Sequence, residues 1–346
     1  MRPGEELNPR VLTPLLESLF PGQGPWTYAQ YAAGHSNLTY LLSSPSRKVV
    51  LRRPPKGPLP PRAHDMVREY RLLRAIHPHY RWAPDVYFVS EGDQSLLGVP
   101  FFLMEARSGV LIDGEWLSHV DYRPSLGRQI SEVMVQRLAD LHRLDWRSTS
   151  LREMVKPEGF MRRQVEGWVT RYQHAKTKEV AGVEALMRWL SDRAPESLDS
   201  SVIHYDYKLN NVLFSPELTD LTGIFDWEMA TVGDPLADLA VAMSYWPQAD
   251  DPDVLRTIFE SRPATAQPGF FTRREWVEAY ARATGRSIRH FNYYLTFAYF
   301  KLAVILQQIY VRYVRGQTTD ARFAYFGEAV EQLLEVAMEQ SRRGQG

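Results

Sequence analysis

Residues 202–214 read VIHYDYKLNNVLF. Two apolar flanks enclose His204, Asp206, Lys208, Asn210 and Asn211, with no glycine or proline among them. Flanks of this composition suit short buried strands. A surface loop has no need of such brackets, and a core strand does not tolerate so many ionisable groups, so the cluster belongs on a loop held between two strands. Further on, Asp226 closes a second apolar run, GIFDWE. A carboxylate at a strand end, set against a carboxylate and an amide on a neighbouring loop, suits a hard divalent cation such as Mg2+. That cation takes oxygen ligands and sits between protein carboxylates and substrate phosphates. The remaining carboxylate, Asp206, would then accept a proton from an attacking hydroxyl.

The whole chain sets the frame. Its 346 residues are long for one core and suit two lobes. A hydrophobic fraction of 44% and an aromatic fraction of 12% belong to a folded globular protein. Lys+Arg and Asp+Glu are both 41, a balance that argues against a nucleic-acid partner. The absence of cysteine excludes disulfides, thiolate metal sites and cysteine nucleophiles. The N-terminal segment lacks the apolar core of a signal peptide, and no unbroken run of about 18 apolar residues occurs. No membrane partner is therefore expected, and a cytoplasmic location is. The nearest approach, residues 295–311, is broken by Lys301 and by Gln307 and Gln308, and reads as a buried helix.

Along the chain, residues 26–33, 38–44 and KVVLR (48–52) read as strands, followed by a proline-rich break at 52–62. Residues 64–76 have helical spacing, and DVYFVS and PFFLMEA return to strand. From about residue 107 the pattern becomes helical. Leu126, Ile130, Val133, Met134, Leu138 and Leu141 share one face of a helix over 124–142. Further helices are expected at 158–175, 182–194, 235–246, 273–283, 289–313 and 321–341. Strand character is confined there to VIHYD, NVLF and LTGIFDW. The expectation is an α+β chain, with a small antiparallel β N-lobe over 1–106 and a large, mostly helical C-lobe over 107–346. Nothing in the pattern specifies an oligomeric state.

The spacing H-x-D-x-x-x-x-N, followed by an apolar-apolar-Asp, resembles the catalytic and metal-binding loops of kinases. More closely, HYDYKLNNVLF and GIFDWEMATVGDPLADLA resemble the aminoglycoside phosphotransferase superfamily, which includes choline and homoserine kinase-like enzymes. AGHSNLTYLL and VVLRRPP are similar in style to the phosphotransferase domains fused to some acyl-CoA dehydrogenases. The resemblance covers roughly residues 25–315. It implies a two-lobed protein-kinase-like fold and MgATP-dependent phosphoryl transfer to a hydroxyl of a small molecule. Asp206 would be the base, Lys208 a contact to the transferred phosphoryl group, and Asn211 and Asp226 the Mg2+ ligands. Arg52 would bind the nucleotide phosphates, paired with Glu69. Gly34, Ser36 and Asn37 would belong to the phosphate-covering loop. Met104 would be the gatekeeper, with the backbone of Glu105 and Arg107 meeting adenine.

Three positions depart from the family pattern. Tyr205 stands where the superfamily usually has glycine, Arg52 replaces lysine, and Asp226 is followed by Trp-Glu. The absence of an Ala-Pro-Glu signature disfavours a protein substrate. His204, His142, Asp234 and Asp238 read as scaffold, with Asp234 as a helix N-cap before Pro235. Glu228 reads as a solvated carboxylate. Segments 152–178 and 273–322 are locally basic and are expected to line the acceptor cleft, which points to a neutral or anionic acceptor such as a hydroxy acid or its acyl thioester. The alternatives are an aminoglycoside phosphotransferase and a nucleotide-binding module without turnover.

Overall fold

The computed structural model of the protein describes residues 1–2, 4–31, 37–55, 65–91, 96–197, 199–258, 262–318 and 320–343. It opens with a helix absent from the sequence expectations, α1 (Pro9–Leu19). Asn8 caps it by accepting from the Arg10 N–H at 3.1 Å, and Pro9 occupies the first turn. Leu12 and Leu16 face inward.

Strands β1 (Thr27–Gln30), β2 (Leu38–Ser43) and β3 (Lys48–Arg53) precede α2 (Met66–Ile76), and β4 (Val86–Ser90) and β5 (Phe101–Glu105) follow it. All five pair antiparallel in the order β1-β2-β3-β5-β4. The two-residue period of a strand then sorts the side chains. Val49 and Leu51 of β3 and Phe101 and Leu103 of β5 pack with Leu12 and Leu16 on one face. Val50, Phe102 and Met104 face the other way and join α2 in a core that runs on into the helical lobe. Arg52 shares the face of Val50. A guanidinium is thereby delivered from the middle of a sheet to the side where the two lobes meet.

The helical lobe contains α3 (Trp116–His119), α4 (Pro124–His142), α5 (Phe160–Ala175), α6 (Val183–Asp192), α7 (Pro235–Ser244), α8 (Asp253–Thr257), α9 (Arg273–Thr284), α10 (Phe291–Val314) and α11 (Phe326–Arg343). Helix α10 is long and apolar enough to cross a bilayer, but 78% of its most apolar window is buried, against α5, α7 and α11 among others. It is the core helix of this lobe, as the interrupted apolar run predicts. Asp234 caps α7, accepting from the Leu236 N–H at 2.9 Å, and its other oxygen accepts from the Tyr294 hydroxyl of α10 at 2.7 Å.

Two short ribbons complete the lobe. β6 (Ser201–Ile203) pairs with β9 (Thr231–Gly233), and β7 (Val212–Phe214) with β8 (Leu221–Ile224). β9 is three residues long and was not anticipated. Its Gly233 admits no side chain, because a Cβ there would lie 2.7 Å from the Phe160 ring and 2.8 Å from Ile203. The β6–β7 connection is residues 204–211, and the β8–β9 connection carries Asp226. The architecture is the mixed α+β, kinase-like one expected, with the opening polar cluster between two strands.

Candidate active site

The loop after β6 is held from behind by one carboxylate. Asp238 of α7 accepts from the His204 N–H at 2.7 Å and the Tyr205 N–H at 2.8 Å, and its Oδ2 lies 3.0 Å from His142 Nε2. Burial works against its charge, but the hydrogen bond and charge of His142, helped by His204, hold Asp238 below the usual carboxylate range. His204 donates from Nε2 to the Phe225 carbonyl at 2.8 Å, while its Nδ1 accepts from the Asp206 N–H at 3.3 Å. That pair of contacts requires the neutral imidazole, and burial lowers its pKa accordingly. Asp234, Asp238, His142 and His204 thus form the scaffold read from the sequence.

Tyr205 carries the strain of the turn. Its φ is 64°, in the left-handed region, which costs a bulky L-residue about 1–2 kcal/mol. This is the position at which the sequence departs from the family's glycine. The buried Tyr205 ring packs edge-on against Phe160 and lies 4.0 Å from the Lys301 ammonium.

Asp206 follows. Its Oδ2 accepts from Asn211 Nδ2 at 2.7 Å and lies 3.0 Å from Lys208 Nζ. Asn211 Nδ2 also donates to the Asp206 carbonyl at 2.9 Å, so its amide nitrogen is committed and its carbonyl oxygen is the end left to act as a ligand. Tyr245, which the sequence reading overlooked, hydrogen-bonds Asp206 and lies under Lys208, whose Nζ is 4.6 Å from its ring. The Phe225 N–H donates to the Asn211 carbonyl at 2.8 Å, fixing the next residue, Asp226, beside the loop.

Across the cleft, Arg52 gathers three carboxylates. Nη2 lies 2.5 Å from Asp226 Oδ1 and 3.5 Å from Glu228 Oε2, and Nη1 is 3.3 Å from Glu69 Oε1. Burial opposes the Arg52 charge, but Glu69 and Asp226 more than compensate and its pKa rises. One guanidinium cannot neutralise three anions, and Glu69 is the most buried of them. Burial pushes it up to about 7; Arg52 opposes this, while Asp226 and Glu228 add to it. Asp226, closest to Arg52, stays below the usual range although burial works against it. Glu228 is corrected here. It is not a solvated carboxylate, for it accepts from Asn37 Nδ2 at 2.8 Å as well as facing Arg52.

The donor set fits a divalent cation that arrives with phosphate. Asp226 and Asn211 supply one carboxylate and one amide oxygen, and among the described residues no cluster of three acidic or histidine side chains could hold a metal alone. Arg52 Nε is moreover buried without a hydrogen-bond partner among the described residues, an unused donor beside the same cleft.

Two cavities meet at Asn210. One, about 340 Å³, is lined by Tyr31, Asn37, Val50, Arg52, Met104, Arg107, Phe225 and Asp226 among others. The other, about 280 Å³, is lined by Lys208, Tyr245, Asp113, Arg256, Leu255 and Ile112 among others. Glu105 is expected to meet adenine through its backbone. Its N–H donates to the Asp85 carbonyl at 2.8 Å, and its carboxylate accepts from Arg107 Nη2 at 2.6 Å, outside the cavity lining. Its backbone N–H is thereby committed within the fold. Arg107 donates to the carbonyls of Arg81, Ala83 and Thr222, tying the interlobe segment down. Gly34 and Ser36 lie outside the described residues. The basic segments 152–178 and 273–322 do not line the second cavity. Several of their charges are paired elsewhere, as in Arg273 with Asp251 and Lys178 with Glu331.

The chain matches the phosphotransferase enzyme family over residues 27–285. It belongs to that family. It is 33% identical over 91% of its length to mouse (Mus musculus) acyl-CoA dehydrogenase family member 10, and 31% identical over 94% to chicken (Gallus gallus) acyl-CoA dehydrogenase family member 11. It spans only 29% and 42% of those two proteins. Among solved structures, a Ralstonia eutropha protein provisionally named an aminoglycoside phosphotransferase superposes with a TM-score of 0.83 at 27% identity, covering 99% of this chain and all of that one. Choline kinase from Cryptosporidium parvum superposes with a TM-score of 0.67 at 10% identity, covering 97% and 96%, a likeness of fold alone.

Proposed function

We propose that this phosphotransferase moves the terminal phosphoryl group of MgATP to a hydroxyl of a small molecule. The observation that carries the reading is the meeting of the two cavities at Asn210, with Arg52 and Asp226 on one side and Lys208 on the other. Asp206 is bonded to Lys208, which lines the second cavity, and to Asn211, the residue after Asn210. Nucleotide occupies the larger cavity, its adenine near Met104 and its phosphates near Arg52. Asp226 and Asn211 would hold Mg2+, which when bound would supply charge neutralisation to the phosphates. Asp206 orients the acceptor hydroxyl and takes its proton, and Lys208 neutralises charge on the transferred group. No covalent enzyme intermediate is needed.

The acceptor is neutral or anionic, a hydroxy acid or related acyl compound. The second cavity supports this: among the described residues its lining carries Lys208 and Arg256, paired with Asp206 and Asp253, and one carboxylate, Asp113, on otherwise largely apolar walls. A polycation entering there meets like charge. The names of the curated relatives, acyl-CoA dehydrogenases, favour an acyl body. ADP release should be measured with MgATP and a panel of hydroxy acids, their acyl thioesters, choline-like cations and aminoglycosides. Turnover is expected with the first two groups. Efficient phosphorylation of the cations alone would reject the acceptor class, and no transfer to any hydroxyl would reject the kinase reading.

A further inference from the structure

Lys301 lies in the middle of α10, the long apolar core helix of this lobe, and is 3% exposed. Its Nζ lies 4.0 Å from the centre of the Tyr205 ring, 5.6 Å from that of Trp168, and donates to the Tyr205 carbonyl at 3.3 Å. A buried ammonium held by one carbonyl and two aromatic faces loses much of its hydration. Tyr205 is itself in a backbone conformation that its side chain disfavours. Each of the two is unfavourable alone, and they touch at the peptide that precedes Asp206.

We propose that Lys301 is a positioning residue for the catalytic loop: by clamping the Tyr205 ring and carbonyl it holds the left-handed turn that aims Asp206 at the acceptor. The carbonyl contact fixes the plane of the 205–206 peptide from below, while Asp238 fixes the preceding N–H groups from the side. The ring contact explains how a bulky residue is kept where glycine would need no help. The hydroxyl of Tyr205 is not what matters, since it is buried without a hydrogen-bond partner among the described residues. Burial lowers the Lys301 pKa to about 8, opposed by Asp206 and Asp238, so the clamp is charged at neutral pH. The catalytic part of this inference rests on the kinase reading above; the loop-holding part does not.

The test compares wild type, Lys301→Met, Tyr205→Gly and the double variant. Hydrogen exchange of the 204–211 peptide reads the loop directly, and MgATP turnover reads its consequence. Lys301→Met should raise exchange across 204–211 and lower kcat at least about tenfold, with KM for MgATP within about twofold, because misaimed groups cost turnover more than binding. In the Tyr205→Gly background the same change should move neither readout by more than about twofold, since glycine takes the turn unaided. If Lys301→Met does not fold, Lys301→Leu, which likewise removes both the ammonium over the Tyr205 ring and the donor to its carbonyl, takes its place in the cycle. Unchanged loop exchange overturns the proposal whatever the turnover. Equal losses in both backgrounds overturn it as well, by showing that Lys301 only fills the core. Should wild type and Asp206→Asn release ADP equally, the kinase reading falls and the exchange cycle still decides the loop.

Discussion

Arg52 of β3 and Asp226, just after β8, are in contact across the lobe boundary, guanidinium Nη2 to carboxylate Oδ1 at 2.5 Å. The proposed phosphate-binding cation and the proposed metal ligand thereby satisfy each other, and nucleotide with Mg2+, on the proposed reading, would replace that contact by new ones. Asp226→Ala should therefore weaken MgATP binding by about tenfold or more, because the bridging cation loses its one carboxylate. Calorimetric titration measures this, and an affinity equal to wild type would remove Asp226 as a ligand.

Asp206→Asn keeps the shape of the loop and an oxygen for Asn211 to donate to, but it cannot take a proton. Turnover should fall by about 10²–10⁴, the usual worth of a general base, while MgATP binding stays near wild type. A rate within tenfold of wild type would exclude Asp206 from the chemistry.

Glu69 touches Arg52 at 3.3 Å and is fully buried. If it serves by orienting Arg52, losing both should cost little more in kcat/KM than losing either. Strictly additive losses in an Arg52→Ala, Glu69→Ala cycle would dissolve the pair as a functional unit.

The same carboxyl makes stability depend on pH in an unusual direction. Its folded pKa, about 7, lies above the ordinary 4.5. A group raised in this way favours folding below the unfolded pKa and loses that contribution as pH rises through the folded one. Between about pH 4.5 and 7 Glu69 therefore works against stability increasingly. Glu69→Gln, which cannot ionise, should gain in Tm relative to wild type over that window. Parallel Tm profiles would show that Glu69 titrates normally.

The loop 204–211 was legible because its chemistry is local. Asp206, Lys208 and Asn211 lie within six residues, and their flanking strands announce themselves by composition. Helix α4 was legible because its buried face repeats with helical spacing. What escaped depends on contacts distant in sequence or on short elements. Glu228 is drawn into the site by Asn37 and Arg52, far away in the N-lobe, and nothing beside it in sequence says so. Strand β9 has three residues, too few for a pattern, and is defined by its partner β6. Helix α1 did carry a signal, Asn8 before Pro9, masked by a second proline, Pro14. The charge count along 152–178 and 273–322 misled because a linear tally ignores which face each arginine takes. The cavity beside Lys208 draws its charge from Arg256 and Asp113 instead.

Arg256 is accordingly the residue on which acceptor charge should turn. Its side chain lies in the second cavity, tethered to Asp253 from the neighbouring turn, and its Nε is buried without a hydrogen-bond partner among the described residues. A carboxylate or phosphate on the acceptor would satisfy that donor, and a charge-assisted hydrogen bond is worth about 1.5–3 kcal/mol. Arg256→Ala should therefore raise KM for an anionic acceptor by roughly tenfold or more. It should leave KM for MgATP and the acceptor-free rate of ADP release unchanged, because Arg256 lines only the second cavity, proposed for the acceptor. For a cationic alcohol the change should run the other way, since removing the guanidinium removes repulsion. The comparison needs one anionic and one cationic acceptor measured on both proteins. Should KM stay within twofold for both classes, charge in this cavity does not select the acceptor, and its apolar walls, Leu255 and Ile112 among them, would have to do so by shape.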